Sequence, residues 1–214
     1  ASRVNGLIKK DILYIKNIMS ILFVSVIMIG IAGILLTDFD ISPICTLLPI
    51  VFSSLVPNII SKDRQSKWEK YVYCLPVSKA TFGLSKYFVY LLVLILSVLL
   101  CGVIVIINCL VKKEINFDNY IIYSLLGISV SMLGGSILLP ASLYLSEQKA
   151  ILFQMTTYFL VALLLVGVTY IINVFIKVSN HIMGVLMLYC ILGIIAYFIS
   201  GVLYKRFFAE RIYF

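Results

Sequence analysis

The chain has 214 residues, of which 63% are hydrophobic and only 12% charged, and it carries a net charge of +8. With a mean hydropathy of +1.14, so much apolar surface cannot be hidden in a water-soluble core of this length, and the chain belongs in a bilayer. Unbroken apolar runs such as LLVLILSVLLCGVIVII exclude a transmembrane β-barrel, whose strands alternate polar and apolar residues.

A spanning helix needs about twenty mostly apolar residues to cross the hydrocarbon layer. Six stretches meet that need: Ile18 to Leu36, Ile41 to Ile60, Tyr87 to Val111, Tyr120 to Leu145, Ile151 to Ile176 and Ile182 to Tyr204. They predict an all-α membrane protein with a single transmembrane domain over residues 1–214. The first stretch follows a basic start (Arg3, Lys9, Lys10, Lys16), yet it is longer than a signal-peptide core and no small-x-small cleavage site precedes Asp38. It reads as a retained helix.

If both termini are cytoplasmic, all but Lys112, Lys113 and Lys177 of the 17 basic residues fall inside. The positive-inside rule therefore predicts a multi-pass protein of the cell membrane with both termini cytoplasmic. The basic residues are spread over separate loops, without the aromatic-interleaved patch that a nucleic-acid reader needs, so no nucleic-acid partner is expected.

The second span contains Pro43, Pro49 and Pro57, each removing a backbone hydrogen bond. Pro49 and Pro57 are candidate hinge positions, although prolines are also common in membrane helices. Between the second and third spans lies the polar island SKDRQSKWEKYVYCLPVSK, residues 61–79. Ser66 and Glu69 have the spacing of a capping box, which predicts a helix over 66–75. Trp68, Tyr71, Val72 and Leu75 then share one face at i, i+3, i+4 and i+7, Pro76 stops the run, and Ser78 is placed to cap the helix leading into the third span. Such an amphipathic helix suits a bed of lipid headgroups, or a groove on a cytoplasmic partner; both uses take the same anchors.

The fourth span carries Gly127, Ser131 and Gly135 at intervals of four, a ladder of small residues that admits a close neighbour from the same chain or a second subunit, and ends near Pro140. The fifth span offers the uncharged polar residues Gln154, Thr156, Thr157 and Asn173, read as helix-packing groups. None of the six stretches contains Asp, Glu, Lys, Arg or His, which disfavours a proton-coupled carrier or an intramembrane protease. The five cysteines show no metal-ligand spacing, so no metal is expected.

Trp68, Glu69, Lys70 and Tyr71, followed by Leu75, Pro76, Val77 and Ser78, resemble the W-[DE]-K-Y and L-P-V-S-[RK] signature of small six-span ABC-2 permeases of Gram-positive bacteria. Leu139, Pro140, Leu143, Tyr144, Glu147 and Lys149 resemble that family's S-L-P-L-Y-[FY] run and the turn after it. Lys67 departs from the pattern, standing where the family often has Gly or another small residue. The resemblance implies an ATP-driven export permease that pairs with a second permease subunit, as a homo- or heterodimer, and with two ABC ATPase subunits that bind ATP and Mg²⁺. It implies that Ser66, Trp68, Glu69, Tyr71, Val72, Leu75, Pro76 and Ser78 form a coupling helix for the ATPase, with Tyr144, Glu147 and Lys149 as a second contact. Amphipathic or hydrophobic peptides, such as toxins, bacteriocins or antimicrobial peptides, are the substrates it implies, with phenol-soluble-modulin-type exporters the nearest comparison. The chain has no G-x-x-x-x-G-K-[ST] phosphate loop, so it is not expected to be an enzyme. A membrane immunity protein that binds and neutralises a bacteriocin is the rival reading, and it would need no cytoplasmic partner.

The charge asymmetry places Lys70 and Lys86 on the cytoplasmic side and Lys112 outside. Cysteines substituted at these positions are expected to be shielded, shielded and reactive, in that order, toward an impermeant reagent on intact cells; efficient modification at 70 would overturn the topology.

Overall fold

The computed structural model of the chain describes residues 6–16, 18, 24, 42–68, 71, 79–112, 117–175, 177 and 181–208. Nearly all of them are helical. Helix α1 covers residues 6–16, and the following elements are α2 (Ile44–Ser53), α3 (Leu55–Gln65), α4 (Lys79–Lys112), α5 (Phe117–Ser142), α6 (Glu147–Phe175) and α7 (Ile182–Leu203), which runs on into a π-helical turn, Tyr204–Phe208. Five helices among the described residues are long and apolar enough to cross a membrane, with α2 and α3 together forming one of them. Of the first predicted span only Ile18 and Val24 are described.

The spans differ from their expected limits where polar residues continue a helix. The third begins at Lys79 instead of Tyr87, so a polar turn and the apolar span form one 34-residue rod. The second ends at Gln65 instead of Ile60 and is divided at Ser54. Pro57 explains the division, because it has no N–H to give to the carbonyl of Ser53 one turn earlier. The fourth ends at Ser142. The last runs only to Leu203 in α-helical form, and the wider π turn beyond it turns Tyr204 inward and leaves Lys205 and Arg206 exposed.

Helix α5 is central and packs against α2, α3, α4, α6 and α7. Its small residues make this possible. A Cβ on Gly127 would lie 2.7 Å from the carbonyl oxygen of Thr46 in α2, and one on Gly135 would lie 2.5 Å from the Tyr90 ring of α4. A Cβ on Gly134 would lie 2.7 Å from the Tyr158 ring of α6. From α7, Gly193 faces Met132 of α5. The ladder of Gly127, Ser131 and Gly135 is thus occupied by neighbours from the same chain.

Lipid provides no water for polar backbone, so side chains of one span must serve the freed carbonyls of another. Pro49 has no N–H for Cys45, and the Cys101 thiol donates to the Cys45 carbonyl at 3.7 Å. Pro140 likewise frees Ser136, whose carbonyl accepts the Ser200 hydroxyl at 2.5 Å. Tyr90 donates to the carbonyl of Ser131 at 2.5 Å, Tyr197 to that of Tyr87 at 2.7 Å, and Thr46 to that of Tyr123 at 3.0 Å. Ser53 and Tyr158 join their hydroxyls at 3.1 Å, as do Tyr87 and Ser200 at 2.9 Å.

Because Tyr90 is fully buried over Gly135, Gly135→Ala is expected to destabilise the protein by about 1–3 kcal/mol through overpacking. Gly102, with open space around its Cβ position, should accept Ala without loss. Thermal melting of the two variants in the same detergent checks the contrast.

Candidate functional site

Three charges lie on apolar stripes, and the fold brings them together. On α1, Leu7, Asp11 and Ile15 are buried at intervals of four. On α3 Val56, Ile59, Ile60 and Asp63 are among the buried residues, and on α4 so are Phe82, Lys86, Val89, Tyr90 and Val93. Lys86 is 1% exposed, Asp11 1% and Asp63 5%. The Lys86 ammonium donates to both Asp11 oxygens at 2.8 Å and to Asp63 Oδ2 at 2.6 Å. Lys10 pairs with the other Asp63 oxygen and lies 3.5 Å from Asp11. Two carboxylates and two ammonium groups therefore balance at one end of the bundle, which is what makes their burial tolerable. Lys86 is buried because its register on α4 continues the core face.

The polar island starts as the last turns of α3. Ser66 is the C-cap of that helix: its N–H reaches Lys62 O at 3.0 Å and its hydroxyl donates to Asp63 O at 3.2 Å. Ser66 therefore closes α3, and the backbone is helical again at Trp68 and at Tyr71, within the helix expected over 66–75. Lys67 follows with φ of 55°, the only positive φ at a non-glycine among the described residues. This left-handed position is where a glycine is normally preferred, so the departure at Lys67 has a conformational meaning.

Trp68 and Tyr71 part company. Trp68 is half-buried and packs on the main core, with the Lys10 ammonium 4.9 Å above its ring. Its indole Nε1 is buried with no hydrogen-bond partner among the described residues. Tyr71 is 67% exposed, its ring centroid 6.5 Å from that of Trp68 and tilted by 29°. Glu69, Val72, Leu75, Pro76 and Ser78 lie outside the described residues.

Arg64 reaches across to the turn after α5, donating to the carbonyl of Leu145 and, at 2.7 Å, to that of Leu143. The end of α3 and the 143–146 turn are thereby held at the same end of the bundle. Within that turn Tyr144 is 43% exposed. Glu147 opens α6, and Lys149 on its first turn is exposed. The exposed charges described at this end, Lys62, Lys67, Lys149, Lys205 and Arg206, are all basic.

Farther along the bundle, α2, α5, α6 and α7 line a groove of about 590 Å³. Its wall is largely aliphatic, and several of its polar side chains are engaged within the chain: Thr46 with Tyr123, Tyr158 with Ser53, and Thr169 with Tyr189 at 3.0 Å. Asn173 also lines it. Thr156 and Thr157 bond back to carbonyls of their own helix. Among the described residues no three metal-ligating side chains cluster, and Cys45, Cys101 and Cys190 are free thiols.

Asp11, Asp63 and Lys86 flank the apolar stretches, so the interiors of the spans carry no sign of the ion cluster. The legible signal was the register, a charge standing where the stripe calls for an apolar residue. One family's sequence model, described as an ABC-2 family transporter protein, matches residues 6–208. No curated protein and no solved structure compared with the chain gives a match.

Removing one partner of a buried ion pair leaves the other charge uncompensated, so Lys86→Met is expected to cost about 3–5 kcal/mol. Lys62→Met, at an exposed site, should cost about 1 kcal/mol or less. Denaturation midpoints of the two variants, purified alike, provide the check.

Proposed function

Because this chain belongs to the ABC-2 transporter family, matching it over residues 6–208, we propose that it is the membrane-spanning subunit of an ATP-driven exporter of amphipathic or hydrophobic peptides. Transport is the family's role, and its members of this kind are transport subunits without catalysis of their own. ATP and Mg²⁺ would be bound by separate ABC ATPase subunits, and a second permease subunit would complete the pathway.

The observation that carries the reading is the end of the bundle where Tyr71 stands exposed beside a half-buried Trp68, and where Arg64 holds the turn that contains Tyr144. An exposed aromatic side chain on a firmly packed base is the usual form of an interface anchor. With both termini cytoplasmic, this end faces the cytoplasm, where the ATPase is found. We assign the first contact to the segment 66–78 and the second to Tyr144, Glu147 and Lys149. The scarcity of polar groups in the groove favours an amphiphilic cargo over a sugar polymer. Pro57, which weakens span two between its packed ends, is the proposed point of flexure.

Two measurements test this. The chain purified alone should neither bind nucleotide stoichiometrically nor hydrolyse ATP, and an ABC ATPase should co-purify with it from its native membrane. Tyr71→Ala should then weaken that association by roughly thirtyfold, the equivalent of about 2 kcal/mol, without changing the melting temperature. Trp68→Ala should weaken association and also lower the melting temperature, because Trp68 packs on the core. Wild-type affinity in Tyr71→Ala would remove the 66–78 segment from the interface. Full function with no ATPase partner would favour the immunity-protein reading.

A further inference from the structure

The ion cluster is buried and so is no part of the docking surface itself, yet it touches every element around the docking segment. Asp63 lies three residues before Ser66, Lys86 stands near the start of α4 beyond the segment, and Asp11 belongs to α1. Lys10 completes the connection, pairing with Asp63 while covering the Trp68 ring. Tyr71, Trp68 and Lys10, itself on α1, form a series of contacts from the exposed tip, and Asp63, Lys86 and Asp11 lead from Lys10 through α3 and α4 back to α1.

The contacts in that series differ in what they resist. Leu7 and Ile15 attach α1 to the core by apolar packing, which is non-directional and tolerates sliding. The Lys86 ammonium fits between two carboxylates at 2.8 and 2.6 Å, and a shift of either one strands a charge in a buried place. A second tie, from the Lys62 ammonium to the Tyr14 ring at 4.7 Å, joins the same two helices, α3 and α1.

We infer that α1 is a second arm of the coupling apparatus: the lock formed by Lys10 and Asp11 of α1 with Asp63 and Lys86 obliges α1 to move with the ATPase-facing segment, so an ATP-driven displacement reaches α1 as well as α4. Asp11 and Lys86 are positioning residues in this scheme, acting through the segment. The inference rests on the reading of 66–78 as the ATPase contact.

Hydrogen exchange of the full complex with its co-purifying ATPase, with and without a non-hydrolysable ATP analogue and Mg²⁺, tests it. In the wild type, the analogue should change exchange by at least about threefold in both 66–78 and 6–16. In the Lys10→Met, Asp11→Asn double variant the response of 66–78 should persist, with ATPase binding within about twofold of wild type, while the response of 6–16 is lost; Lys10→Arg with Asp11→Glu should restore it. A wild-type complex in which 66–78 responds and 6–16 does not overturns the lock, and needs no variant to fold. A Lys10→Met, Asp11→Asn complex in which both segments still respond overturns it too. If neither segment responds in the wild type, the coupling reading of 66–78 has failed and the lock fails with it, an outcome distinct from a response confined to 66–78.

Discussion

The hydrocarbon layer leaves each polar backbone group to be satisfied by the protein, and much of this bundle follows from that demand. Prolines in α2 and α5 free the carbonyls of Cys45 and Ser136, and a thiol and a hydroxyl from other spans meet them. For those side chains to reach, the helices must be close, and α5 provides closeness by offering glycines where rings and backbone of its neighbours come in. Tyr90 shows both halves of the arrangement in one residue: its ring fills the space over Gly135 while its hydroxyl binds the Ser131 carbonyl. Size and hydrogen bonding are solved by one side chain, so changing either partner disturbs both.

At the edge of the apolar layer the problem changes from dipoles to whole charges. Burial of Lys86 between Asp11 and Asp63 is no strong source of net stability, since the desolvation of each ion opposes their attraction. Its value is geometric. Apolar packing would accept several registers of α1 against α4, whereas an ammonium shared by two carboxylates accepts one. The same neutralisation removes both acids from the surface, which leaves the exposed charge described at this end basic.

Much of this was legible from the chain, for reasons that differ by residue. The spans were visible because twenty-odd apolar residues have few other homes. The end of the second span was not, because Ser61 to Gln65 are polar enough to read as loop while continuing a helix that packing has already nucleated. The spacing of Gly127, Ser131 and Gly135 predicted close approach but could not say to what; Thr46 and Tyr90 are distant in sequence and no periodicity points at them. Ser66 closes α3, and helical backbone resumes at Trp68 beyond it. The spacing of Ser66 to Glu69 fits a helix start, but a serine hydroxyl also donates backward, and the unfinished carbonyls of α3 lie nearer. The charges of the cluster could have been found by following each apolar stripe past the limit of its span.

The placement of Pro57 gives these separate devices a common consequence. Span two is held near one end by the contact of Thr46 with α5 and by its bond to Tyr123, and near the other by Asp63 in the ion cluster and by Arg64 on the 143–145 carbonyls. Between these fixed points lies Ser54, where α2 gives way to α3 and where Pro57 withholds a hydrogen bond from Ser53. A force applied at the charged end meets the least resistance where a bond is already missing. If the ATPase pushes there, as proposed, bending about Ser53 to Pro57 would leave the ion cluster intact and the glycine contacts in place. The alternative, shearing α3 along α4, would first have to separate Lys86 from Asp63. The cheaper motion therefore tilts the charged end as one body, carrying α1, α3 and the foot of α4 together.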